Sequence, residues 1–130
     1  MKRFLVFYVF LMLSMVAFAQ GFQSLSVNDF AKKIGQKGVF LMDVRTVSEY
    51  QQGHLEGATN VVWDKNFEQS LKAYSLDSCE VAVYCRSGRR SKMAAEVLVR
   101  LGFRVVELDR GILGWMAEKM PVTNDVEKKQ

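Results

Sequence analysis

The chain has 130 residues, 49% of them apolar and 25% charged, with a formal net charge of +4. That length fits one domain with an ordinary core, and the balance excludes a disordered, collagen-like or disulfide-packed chain. Two of the charges, Lys2 and Arg3, lie in a leader-like segment; without them the charge falls from +4 to +2, too little to argue for nucleic-acid binding.

The opening MKRFLVFYVFLMLSMVAFAQ has a basic start, an uncharged run from Phe4 to Ala19 and a small-x-small ending at Ala17-Phe18-Ala19. Those are the three parts of an export signal, and the run is shorter than the roughly 18 to 20 residues that span a bilayer. Residues 1–19 are therefore expected to be cleaved. Residues 20–123 would then form one domain and 124–130 a polar flexible tail, in a periplasmic or secreted protein without a stable membrane anchor. Gln20 rather than a cysteine follows the cut, so no lipid attachment is available there.

After a short extended piece at Phe22 to Leu25, Ser26 can cap a helix that carries Val27, Phe30, Ala31 and Ile34 on one face and ends at Gly35. Asp29 stands where a capping-box acid would sit. Val39 to Met42 is a continuous apolar run, the pattern of a strand buried on both faces of a parallel sheet, and it leads into Asp43-Val44-Arg45. Thr46 and Glu49 form a second capping box, whose short helix Gly53 closes. Thr59 to Trp63 reads as another strand, and Phe67, Leu71 and Tyr74 mark a helical face. Val81 to Tyr84 is apolar again, Lys92 to Leu101 has helical spacing, Val105 to Leu108 gives a last strand, and Ile112 to Met120 a last helix before Pro121. Strands alternating with helices imply right-handed crossovers and a mainly parallel, five-stranded sheet with helices on both faces. Ligands of such sheets bind beyond the carboxyl ends of the strands, where Cys85 lies.

The loop after that strand reads Cys85-Arg86-Ser87-Gly88-Arg89-Arg90-Ser91. A thiol acts as a nucleophile in its thiolate form, which a helix N-terminus and nearby cations favour. Arg86, Arg89 and Arg90 supply the cations, Gly88 permits a tight backbone path, and Ser91 can cap a helix starting at Lys92. Backbone N–H groups curling round the sulfur would form an anion-binding nest. The other thiol, Cys79, is six steps along the strand, roughly 20 Å away, against a ceiling of about 7 Å for a disulfide. The two are not expected to bridge.

On these residues the chain resembles the rhodanese-like family of single-domain sulfurtransferases, over roughly Gln23 to Pro121. The matching segments are LMDVRTVSEYQQGHLEGATNV, VAVYCRSGRRSKMAAEVLVRLGF and VVELDRGILGW, in the family's order. The resemblance implies an α/β fold with a central parallel sheet, Cys85 as the catalytic cysteine, and Arg86 through Arg90 as its loop. It also implies a persulfide on Cys85, loaded from a small anionic donor such as thiosulfate or another persulfide and unloaded to a thiol, cyanide or a protein acceptor. No metal or organic cofactor is expected. The family's usual pair of glycines is Arg110-Gly111 here, which adds a charge to the final loop and leaves its backbone path open.

Two further readings use the same cysteine. A cysteine phosphatase of the dual-specificity type, or an arsenate reductase, places an arginine six residues after the cysteine; here that position is Ser91, and the last arginine is Arg90. A persulfide carrier or binding module would need Cys85 as much as an enzyme does. Asp43 and Arg45 either touch substrate or pair with neighbouring loops to hold the site in shape, and the second role is the expected one. His54, the only histidine, is expected to make a structural hydrogen bond rather than a Cys-His dyad, and a single histidine argues against zinc. Glu49 and Tyr50 read as cap and packing, Trp115 as core, and Met93 and Met116 as core filler.

Overall fold

The computed structural model describes residues 21–125; the leader at residues 1–19 and all of the expected tail beyond Asp125 lie outside them. The elements are β1 (Phe22–Leu25), α1 (Val27–Ile34), β2 (Val39–Asp43), α2 (Val47–Gln52), β3 (Thr59–Asn60), α3 (Phe67–Leu71), β4 (Glu80–Tyr84), α4 (Arg89–Arg100), β5 (Arg104–Leu108) and α5 (Gly111–Ala117). The strands form one five-stranded sheet in the order β1-β5-β4-β2-β3, parallel throughout.

Alternation along the strands sorts the core into two layers, because successive side chains leave opposite faces of a sheet. Val81, Val83 and Cys85 point to the face packed by α3 and α4, where they meet Phe67, Leu71, Ala94 and Leu98. Ala82 and Tyr84 point to the other, where Phe30 of α1 and Ile112 and Trp115 of α5 cover them. The parity of β4 thus aims Cys85 at α4. In β5, Val106 and Leu108 join the α1 and α5 layer, which leaves Val105 and Glu107 on the face of α4.

Two of the three expected N-caps are present. Ser26 Oγ accepts the Asp29 N–H, and Thr46 and Glu49 make a reciprocal capping box. Other boundaries differ from the sequence pattern. The strand expected at Thr59 to Trp63 keeps ladder geometry only at Thr59–Asn60. Beyond it the backbone still donates, Val61 N–H to the Asp43 carbonyl at 2.9 Å and Trp63 N–H to that of Val44 at 3.0 Å, and the Asn60 side-chain amide adds bonds to the carbonyls of Asp43 and Arg45. The helix expected from Lys92 begins three residues earlier at Arg89, with Gly88 at its N-cap. Ser91 is therefore not a cap but a buried residue of the first turn. Met93 and Met116 are 39% and 44% exposed rather than core filler; Ala94 and Trp115, their neighbours in sequence, take the inward positions.

Candidate active site

Cys85 follows directly on β4 and is buried, with its Sγ accepting the Gly88 N–H at 3.1 Å and lying 3.3 Å from Ser91 Oγ. Gly88 makes that turn possible: its φ is +103°, and a Cβ there would strike the carbonyl oxygen of Asp109. Of the backbone nest expected around the sulfur, the Gly88 N–H is the one that reaches it among the described residues. The first turn of α5 holds the loop from the other side, where the Ile112 N–H donates to the Cys85 carbonyl at 2.9 Å and the Leu113 N–H to that of Arg86 at 3.1 Å. Gly111 lets α5 come so close, with a φ of +61° and no room for a Cβ against the Cys85 and Arg86 carbonyls. Arg110 has a φ of −98°, open to any residue. The departure from a glycine pair therefore leaves the backbone path of the final loop unstrained.

The three arginines after the sulfur part company. Arg90 forms a bidentate ion pair with Glu49, at 2.7 and 3.0 Å. The hydrogen bonds from Arg90 hold the Glu49 carboxyl at about 2, well below the ordinary carboxylate range. Glu49 thus does more than cap α2: it ties that helix to the first turn of α4. Arg86 and Arg89 are exposed and make no ion pair among the described residues. Ser87 is exposed beside them.

Asp43 and Arg45 pair with each other at the end of β2. The Asp43 carboxylate accepts the Arg45 backbone N–H at 2.9 Å and its guanidinium at 2.7 and 3.1 Å, and Arg45 Nη2 also donates to the Gly53 carbonyl. Both are buried. The Arg45 guanidinium lies over the Tyr84 ring, 5.7 Å from its centroid. Burial, and then the nearby Asp43 carboxylate, push the Tyr84 phenol far above its ordinary value. Tyr84 Oη accepts the Leu55 N–H at 3.1 Å and so fastens the Gly-His-Leu-Glu-Gly turn to β4. His54 in that turn stacks on Tyr50, its ring nitrogens facing the carbonyls of Tyr50 and Asp125, and its backbone pairs with Thr123. Both nitrogens are occupied by carbonyls, so the ring is a strut for the last described residues and forms no dyad with Cys85. Trp115 is core, donating its indole N–H to the Pro121 carbonyl at 2.8 Å.

Two hollows differ in position. A cleft of about 250 Å³ borders the cysteine loop at Arg86, between Arg45 and Glu49 on one side and Ile112, Leu113 and Met116 on the other. A wider groove of about 400 Å³ is lined by Leu71, Tyr74, Leu101 and Phe103, at the amino ends of β4 and β5. Cys85 Sγ belongs to the carboxyl end, so the smaller cleft is the one beside it. No group of three His, Cys, Asp or Glu side chains among the described residues could hold a metal ion.

Besides the Arg90 to Glu49 pair, the sequence pattern does not reveal the contact beneath the sulfur. Ser91 Oγ donates to Glu107 Oε2 at 2.6 Å, which places a buried acid one hydroxyl away from the sulfur. The signal available was a glutamate inside the apolar strand Val105-Val106-Glu107-Leu108, since an acid buried in a core needs a partner.

A parallel α/β sheet that ends one central strand in a buried cysteine, wrapped by a short cationic loop, defines a class of single-domain proteins built around that strand-end thiol. The chain belongs to the rhodanese-like domain family, whose model matches residues 26–118. It is 31% identical over 113 residues to rhodanese-like domain-containing protein 17 of Arabidopsis thaliana, covering 77% of this chain and 71% of the relative. It is 37% identical over 71 residues to thiosulfate sulfurtransferase PspE of Escherichia coli, covering 55% and 68%. Among solved structures, a rhodanese-related protein from Thermoplasma volcanium superposes with a TM-score of 0.70 at 29% identity, over 79% of this chain and 99% of that one.

Proposed function

We propose that this protein is an exported sulfurtransferase that carries sulfane sulfur on Cys85, from thiosulfate or another persulfide donor to a thiol or cyanide. The observation that carries this reading is the Cys85 sulfur at the end of β4, with a backbone N–H on it and Ser91, not an arginine, six residues on. In the first step the Cys85 thiolate attacks the outer sulfur of thiosulfate. The S–S bond of the donor breaks, sulfite leaves with the electron pair, and Cys85 keeps a persulfide. An acceptor thiolate or cyanide then attacks the outer sulfur and returns the Cys85 thiolate, so one transfer is split into two covalent steps.

Arg86 and Arg89, exposed at the loop, attract the dianionic donor. The Gly88 N–H stabilises charge on the cysteine sulfur as it leaves in the second step. A phosphatase reading has less support, because Ser91 turns inward to Glu107 and Arg90 is engaged by Glu49, so neither is turned toward a phosphate. Export rests on the leader-like residues 1–19, and naming of relatives as thiosulfate sulfurtransferases supports the donor class.

The test is mass spectrometry of the purified protein after incubation with thiosulfate. A gain of one sulfur, about 32 Da, that is lost in Cys85→Ser is the expected result of persulfide formation. Absence of any adduct on reduced protein would refute the thiosulfate assignment.

A further inference from the structure

Glu107 is fully buried within β5, in register with Ser24 of β1 and Val83 of β4. Its carboxylate receives Ser24 Oγ on Oε1 at 2.6 Å, Ser91 Oγ on Oε2 at 2.6 Å and Lys92 Nζ on Oε1 at 3.1 Å. A serine hydroxyl has one proton to donate, and Ser91 gives it to Glu107. The side of Ser91 Oγ that faces Cys85, 3.3 Å away, is then a lone pair. A thiol can donate its S–H to that lone pair; a thiolate there would meet it with charge against charge.

We propose that Glu107 is a positioning residue for the sulfur chemistry. By fixing the direction of the Ser91 hydroxyl it holds Cys85 as the protonated thiol at rest. This rests on the reading of Cys85 as the sulfur-carrying nucleophile. Activation has two parts: the S–H proton passes to water, and the Ser91 hydrogen rotates from Glu107 onto the sulfur. Glu107 keeps Ser24 and Lys92 as donors through that rotation, so the buried carboxylate is never left bare.

The charges around the sulfur set the balance. Arg90 of α4 attracts the thiolate, but its guanidinium is shared with Glu49 of α2. Asp43 and Arg45 at the end of β2 neutralise each other. Lys92 of α4 is divided between Glu107 and Asp109. From α5 the loop receives backbone N–H groups, on the Cys85 and Arg86 carbonyls. The Ser91 proton is the element of this set that can change sides without breaking the fold.

Glu107→Gln tests the proposal with almost no change of shape. Ser24 and Lys92 are both donors on Oε1, so they select the amide oxygen at that position and turn the amide NH2 toward Ser91. The NH2 donates to Ser91 Oγ, and the Ser91 hydrogen moves onto Cys85. In a Cys79→Ser background, thiolate absorbance and the rate of alkylation by iodoacetamide are followed against pH. Glu107→Gln should give about tenfold more thiolate, and about tenfold faster alkylation, at pH values below the midpoint, equivalent to about 1.4 kcal/mol.

In a Ser91→Ala background, itself close to isosteric, the same substitution should shift the profile less than half as far. An unchanged profile, or a shift toward higher pH, overturns the proposal. So does a shift of equal size with and without Ser91, because the carboxylate would then act by its charge alone. Thiolate titration does not depend on turnover. A parent protein that accepts no sulfur from thiosulfate, yet shows the Ser91-dependent shift, would refute the sulfurtransferase reading and support the role of Glu107.

Discussion

Replacing Gly111 with alanine is the sharpest test of how the loop is held. At a φ of +61° a residue with a Cβ loses about 1 to 2 kcal/mol. The added carbon would also stand 2.6 Å from the Cys85 carbonyl oxygen and closer still to that of Arg86, an overpacking that costs about 1 to 3 kcal/mol. Together these predict a destabilisation of about 2 to 5 kcal/mol, and at roughly 4 °C or more per kcal/mol for a domain of this size, a fall in Tm of at least about 8 °C. The neighbouring Arg110→Gly is the control: with φ at −98° nothing is gained or relieved, and its effect should stay within about 1 kcal/mol. Thermal melts by circular dichroism measure both. Below its transition Gly111→Ala should also form the persulfide more slowly, because the Ile112 and Leu113 N–H groups can no longer reach the loop carbonyls. A Gly111→Ala protein that melts within about 2 °C of the parent and takes up sulfur at the same rate would show that this contact does not set the loop.

Two other substitutions probe the surroundings. Tyr84→Phe removes the acceptor of the buried Leu55 N–H, and leaving a buried donor unsatisfied costs about 1 to 3 kcal/mol; a urea midpoint equal to the parent's would contradict the account of the turn. The Glu49 to Arg90 pair predicts a pH dependence. Glu49 is held at about 2 in the folded protein against an ordinary value of 4.5, so its contribution is present above the ordinary value and is lost as pH falls toward the folded one. For side chains 28% and 27% exposed the pair is worth about 0.5 to 1 kcal/mol. The parent should therefore be more stable than Glu49→Gln at neutral pH, with the gap closing between about 4.5 and about 2. A gap that stays constant down the acid range would remove the pair from the ledger of stability.

Much of this molecule could be read from its residues because the relevant physics is local. Apolar runs such as Val39 to Met42 mark strands buried on both faces, and Ser26, Thr46 and Glu49 mark helix starts through bonds that span three residues. Cys85 was legible for a related reason: its position at a strand end, before arginines and a glycine, is a matter of adjacency. What escaped depends on distance along the chain. Arg90 is 41 residues from Glu49, and Ser24 is 83 from Glu107. Their pairing is decided by strand order, which no short window contains. Ser91 reads as a cap because a serine near a helix start is an ordinary one, whereas Gly88, with its φ of +103°, already starts α4. Met93 and Met116 misled through composition: a flexible apolar side chain does not by itself say which face of a helix it occupies.

The pairing of β1 with β5 also bears on timing. Phe22 lies against Val105 and Leu25 against Leu108, so the first strand of the domain finds its partner only after the last strand exists. Contacts this remote in sequence slow folding. They also mean that a growing chain has Cys85 and Ser91 in hand before Glu107 can meet them. A chain arrested before β5 would carry the cysteine and its serine without the carboxylate that orients the hydroxyl between them.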